Sequence, residues 1–198
     1  LTDSLQGTFD KIFSGATAGT DVLVRGPEVN EGISGSEALR RPLRVGQAED
    51  LAAVPGVASA FPDLAGTVVL VCKDGTAVRN GGAPSFGFDF RPDDPALPLV
   101  DGRGPTSARE IAVESVTLEK SGLRLGDRTR TVVAGQVQPV TIVGEVAFGG
   151  GSAGQTIVVV DRASALNWFA PDGTVQQIVL RADPGVSEQQ LRDRVAAV

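Results

Sequence analysis

The chain has 198 residues, 41% of them apolar and 5% aromatic, enough to fill the core of one sizeable domain or two small lobes. Its 18 Lys and Arg against 24 Asp and Glu leave a formal net charge of −6, which argues against a nucleic-acid partner and against a basic membrane-surface patch. With no histidine, Ser-His-Asp and Cys-His triads, His-ligated zinc and imidazole bases are excluded, and the single Cys72 can make no intrachain disulfide and fits no metal or redox spacing.

Leu1, Leu5, Phe9, Ile12 and Phe13 recur at spacings of three and four, so residues 1 to 14 read as an amphipathic helix closed by Ser14 and Gly15. The sequence has no Met, no signal peptide and no apolar run of about 18 residues. The expectation is an excised fragment whose first helix continues from a transmembrane segment and acts as a lever. Residues 20 to 25 predict a strand, Gln47 to Val54 a helix stopped by Pro55 and Gly56, and Val57 to Phe61 a returning strand. Between the first strand and that helix, Gly26 to Gly46 reads as a loop rich in Gly, Glu, Ser and Pro.

Val68 to Cys72 and Thr76 to Val78 flank Lys73-Asp74-Gly75, a hairpin signal that makes Cys72 a small buried strand residue. Phe86 to Phe90 and Leu97 to Val100 predict short extended segments, and Glu114 to Ser121 a helix ended by Gly122. Thr129 to Ala134 and Val137 to Ala147 follow as strands turning at Gly135 and Gln136. The unbroken apolar run Thr156 to Val160 predicts a strand buried on both faces. Asp161 caps a helix over Arg162 to Phe169, and Pro171-Asp172-Gly173 turns into a strand over Val175 to Leu180. Ser187 with Gln190 forms a capping box for a last helix carrying Leu191, Val195 and Val198. The two ends repeat one pattern of strand, loop and helix: DVLVRG with AEDLAAV, and QIVLRADPG with SEQQLRDRVAAV.

Three features invite a chemical reading. The segment Gly149 to Thr156 is rich in glycine like a phosphate loop, but Gln155 stands where lysine is needed and a strand follows instead of a helix, so a plain strand connection is favoured. Asp93-Asp94, between two prolines, supplies too few oxygens for calcium or magnesium and reads as a solvated acidic turn. Trp168 beside Phe169 reads as an anchor of its helix to the core. The sequence therefore predicts no catalytic, cofactor or metal site residues and no intrinsic ATP, phosphate or divalent-metal binding.

The stretch Leu99 to Val146 resembles the MacB-like periplasmic core domain of FtsX/MacB-type ABC transporter permeases. Its pattern runs through Gly102, Arg103, Pro105, Glu110, Ile111, Val113, Gly122, Leu123, Gly126, Asp127 and Val140 to Glu145. More loosely it includes VPGVASAFP near the start and QIVLRADPG near the end. These positions read as turns and caps of a scaffold; only three lysines and a bias to Ala, Gly, Val, Arg and Asp point to a GC-rich bacterial genome, actinobacterial in kind.

The resemblance implies an α+β, two-lobed extracytoplasmic domain: a small α/β, porter-like lobe from both chain ends and an inserted mostly-β lobe from the middle. With it go a juxtamembrane helix at 1–18, the small lobe at 19–76 and 173–198 with its last strand truncated, and the inserted lobe at 77–172. It implies a noncatalytic coupling module in the cell membrane, on the extracytoplasmic side. Its partners would be its own transmembrane helices, a cytoplasmic ABC ATPase and an extracytoplasmic protein or lipid cargo, with a dimer only as the full permease. Two other readings compete: a free-standing extracellular binding or scaffold module, and a His-free hydrolase using carboxylates such as Asp89, Asp93, Asp94 or Asp101.

Overall fold

The computed structural model describes residues 19–29, 39–79, 81–148 and 154–197. The expected helix at 1–14, most of the 26–46 loop and the glycine run at 149–153 lie outside the described residues. No helix among the described residues is long and apolar enough to cross a membrane.

The chain divides into two compact units, one of them formed by Gly19–Leu64 together with Ala170–Val198. Its core is a three-stranded antiparallel sheet in the order β1 (Val22–Arg25), β12 (Gln177–Ala182), β3 (Val57–Pro62). Val22 faces Leu180, which in turn faces Ala60, so the strand nearest each chain end meets in one ladder. Ile178 and Leu180, one alternation apart, are fully buried. Helix α1 (Gln47–Ala52) buries Ala48 and Leu51. Helix α4 (Glu188–Val195) begins with the capping box read from the sequence, Ser187 accepting from the Gln190 backbone and Gln190 reaching back, and it buries Leu191. A short ladder, not foreseen, pairs β2 (Leu43–Arg44) with β11 (Thr174–Val175), so the strand expected from Val175 is broken at Gln176.

The larger unit, residues 65–169, is a sheet that closes on itself. Its strands are β4 (Ala65–Leu70), β5 (Ser85–Asp89), β6 (Leu99–Gly102), β7 (Glu110–Glu114), β8 (Arg128–Val133), β9 (Gln136–Val146) and β10 (Thr156–Val160). They pair in the order β6-β9-β7-β10-β5-β4-β8, and β8 pairs again with β9. The eleven-residue β9 makes closure possible, because its first half pairs with β8 and its second half with β7 and β6. Closure removes the edges that an open sheet would expose, leaving β6 as an appended strand. All five residues of β10 are buried, as its β-branched run implies. Ile157 and Val159 pack with Ala112, Val146 and Leu97 under Phe88, Phe90 and Phe148.

Helix α2 (Ser115–Ser121) is capped by Glu114, whose buried carboxylate accepts from the Thr117 amide and hydroxyl, and it ends at Gly122 in the left-handed conformation. Helix α3 (Arg162–Phe169) is capped by Asp161, which accepts from the Ala163 and Ser164 amides.

Several expectations need correction. The ladders divide the chain at 64/65 and 169/170, not at 76/77 and 172/173, because β4 starts at Ala65 and bonds to β5 and β8. Glu110–Glu114 is a buried strand, and Glu114 is the helix cap, not the first helical residue. The β8–β9 turn sits at Ala134 and Gly135, both with positive φ, so Gln136 opens β9. Thr76 to Val78 does fold back as the hairpin expected, with the Val71–Ala77 bridge, the Cys72 amide donating to the Thr76 carbonyl at 2.7 Å and the Val78 amide to that of Leu70 at 2.9 Å, but it forms no regular strand, and Cys72 lies beyond β4, half-buried.

Candidate functional site

The segment that carries the family resemblance folds back on itself, and its motif residues touch each other. Gly102 on β6 and Gly144 on β9 are register partners. A Cβ on Gly144 would lie 2.2 Å from the Arg103 carbonyl oxygen, and one on Gly102 would lie 2.4 Å from that of Val143. Arg103 then reaches along the loop to Glu110 at the head of β7. One guanidinium nitrogen donates to Glu110 Oε2 at 2.9 Å while the other pairs with Oε1. The Thr106 amide and hydroxyl also donate to Oε2, both at 3.0 Å.

Four donors on one carboxylate, the Arg103 guanidinium first and the Thr106 amide next, pull the Glu110 pKa down to about 2, and Glu110 in return raises that of Arg103. A carboxylate this acidic and this well satisfied is no proton acceptor at neutral pH; it staples residues 103 to 110. Since its folded-state pKa lies below the ordinary 4.5, its stabilising contribution is present above that value and is lost as pH falls toward about 2. The difference in urea midpoint between the wild-type chain and Glu110→Gln should therefore be full at neutral pH and shrink to nothing near pH 2. A difference that does not change with pH would contradict the assignment.

The four carboxylates singled out for acid-base chemistry do not converge as a catalytic set. Asp89 and Asp94 are buried, 5% and 3% exposed, with Arg91 between them. The Arg91 guanidinium pairs with Asp94 and lies 3.9 Å from Asp89, which Arg162 approaches at 3.4 Å. The Ala96 amide donates to Asp94 at 3.0 Å. Asp93-Asp94 is thus not a solvated acidic turn: Asp94 turns inward to an arginine that the sequence pattern did not connect with it. Asp93 and Asp101 are exposed, and Asp101 accepts from the Gly102 amide. Among the described residues no group of three or more Asp, Glu or Cys is placed to hold a metal ion.

Of the aromatic pair expected to anchor its helix, Phe169 is the member that meets the sheet. Its ring fills a notch above Gly66 on β4 and Gly87 on β5, while half-buried Trp168 stands edge-on to it at 6.4 Å.

Among the described residues a concavity in each unit is lined by charged side chains. In the smaller unit a groove of about 680 Å3 is lined by Arg25, Glu28, Arg40, Asp63 and Gln177. Its polar groups are matched internally: Arg25 donates to Gln177, Gln177 to Asp63, and Arg40 pairs with Glu28. In the larger unit a cleft of about 310 Å3 lies between the segment after β4 and the start of β8, lined by Lys73, Asp127, Arg128 and Arg130 over Val71 and Leu123. Sequence reasoning missed this cleft, although Arg128-Thr129-Arg130 in a strand puts both arginines on one face.

A small α/β unit made from both chain ends, carrying a closed β unit as an insertion, defines the architectural class. The chain belongs to the MacB-like periplasmic core domain family, whose model matches residues 1–198. As a member it is an extracytoplasmic domain of an ABC transporter permease. It is similar to the periplasmic region of MacB from Actinobacillus actinomycetemcomitans, with 15% identity and a TM-score of 0.67 over 97% of this chain and 87% of that one. It is also similar to the extracellular domain of the noncanonic ABC-type transporter YknZ from Gram-positive bacteria, with 16% identity and a TM-score of 0.57 over 88% and 89%. At these identities the likeness is one of fold. No curated protein sequence matches the chain significantly.

Proposed function

We propose that the domain is a noncatalytic coupling module, which links ATP hydrolysis on the cytoplasmic side to export or to control of an extracytoplasmic partner. The observation that supports this most is the ladder between β1 and β12, in which Val22 to Arg25 runs against Gln177 to Leu180. Motion delivered to either end of the chain enters the same small sheet, and the larger unit is inserted between strands of that sheet in sequence. The family motifs serve this reading as scaffold: Gly102 and Gly144 bring two strands together, Arg103 and Glu110 staple a loop, and Gly122 ends a helix. The pairing of Asp89 and Asp94 with Arg91 speaks against the hydrolase alternative, since both buried carboxylates are turned toward a structural guanidinium and not toward an open substrate site.

The test uses the full transporter with Leu180→Ser, a change at a fully buried position shared by both ladders. With permease abundance in the membrane confirmed by immunoblot, ATP hydrolysis should persist while export, or partner activation, per ATP consumed falls at least about tenfold. Transport at the wild-type ratio would sink the coupling role.

A further inference from the structure

We propose that the cleft beside the start of β8 binds a dianionic phosphoryl group through Lys73, Arg128 and Arg130. Arg128 and Arg130 both point outward from β8, while Thr131 and Val133 on the other alternation are buried. The backbone beneath them is fixed: the Val71 amide donates to the Arg130 carbonyl at 3.0 Å, and the Thr129 hydroxyl donates to that of Val71 at 2.6 Å. Two residues on, the Lys73 amide donates to the Ser121 carbonyl at 3.1 Å, so the ammonium is carried on a pinned turn.

Three cations thus share one concavity with a single carboxylate, Asp127, which lies 3.7 Å from the Lys73 ammonium and leaves the guanidinium groups with no acid of the cleft to match them. On a chain whose net charge is −6, this local excess of positive charge is contrary to the average and costs self-repulsion unless an anion relieves it. Two planar guanidinium forks and an ammonium match the several oxygens of a phosphate monoester, which carries about −1.5 to −2 charge at neutral pH, better than they match one carboxylate. Leu123 and Val71 add apolar lining to the cleft. At about 310 Å3 the cleft has room for one phosphoryl headgroup. The expectation that the chain binds no phosphate rested on the glycine run and the carboxylates, and this cleft lies outside both.

The proposal stands apart from the coupling role and is tested on the 198-residue chain by itself. Inorganic phosphate titrated calorimetrically at low salt should bind saturably with a Kd below about 1 mM, and added salt should weaken it. Arg128→Gln with Arg130→Gln, both exposed and so compatible with folding, should weaken binding at least about tenfold. Asp127→Asn keeps an acceptor for the Arg124 amide but removes the competing charge, and should tighten binding about threefold with an unchanged melting temperature. Sedimentation with phosphatidic acid vesicles against phosphatidylcholine vesicles separates the sources. Retention by the former, lost in the double variant, identifies a lipid headgroup; phosphate binding without retention identifies a free phosphate ester. Absence of both, or binding indifferent to the arginine changes, overturns the assignment, and so does an Asp127→Asn chain that folds but binds no tighter.

Discussion

Replacing Gly144 with alanine should destabilise the larger unit by about 3 kcal/mol, measured as a fall in the urea midpoint at unchanged m-value. The added Cβ would stand 2.2 Å from the Arg103 carbonyl oxygen and 3.1 Å from Leu99 Cδ1. The first of these is backbone immediately after β6, so no rotamer change relieves the clash. β6 would have to leave β9, and with it the start of the loop that Arg103 and Glu110 close. Gly46→Ala is the control: nothing lies within 4 Å of its Cβ and its φ is −64°, so the change should stay within about 0.5 kcal/mol of wild type. Equal effects at the two glycines would show that the close approach of β6 to β9 is wrongly placed.

Gly66→Ala should cost about 2 kcal/mol, and most of that cost should vanish when Phe169 is also shortened. The three atoms nearest the new Cβ, at 2.3, 3.0 and 3.1 Å, all belong to the Phe169 ring, a side chain that can be cut back without moving backbone. Phe169→Leu alone should cost about 1–2 kcal/mol through lost burial. In the double variant the two changes should offset, giving a coupling energy of at least about 1 kcal/mol in a double-mutant cycle. Strict additivity would mean that the ring does not occupy the notch. Gly87→Ala would behave differently, because its Cβ also meets Val68 Cγ2 at 2.3 Å, and Val68 is fully buried.

The local signals in this sequence were legible where a few neighbouring residues decide the outcome. The Ser187–Gln190 capping box, the left-handed stop at Gly122 and the Asp161 cap each depend on bonds spanning three residues or so, and each forms as read. β10 was legible because a continuous β-branched run tolerates burial on both faces. The repeat at the two ends was legible as a pattern, and its partners Val22 and Leu180 do meet, although 158 positions apart in the chain by their numbers.

What the sequence by itself determined, then, is many of the elements though not β2, β7 or β11, the exclusion of histidine chemistry and the family, since caps, alternation and turn residues act over short range. Only the tertiary structure decided which strand belongs to which unit, because hydrogen bonding between Ala65–Leu70 and two distant strands, not composition nearby, draws β4 into the closed sheet. It also decided that Asp94 is buried against Arg91, that Phe169 and not Trp168 fills the glycine notch, and that Lys73 joins Arg128 and Arg130 in one cleft. The last two depend on contacts between segments far apart in the chain that only the pairing of the sheet brings within reach, while the turn of Asp94 toward Arg91, three residues away, is set by burial and not by spacing.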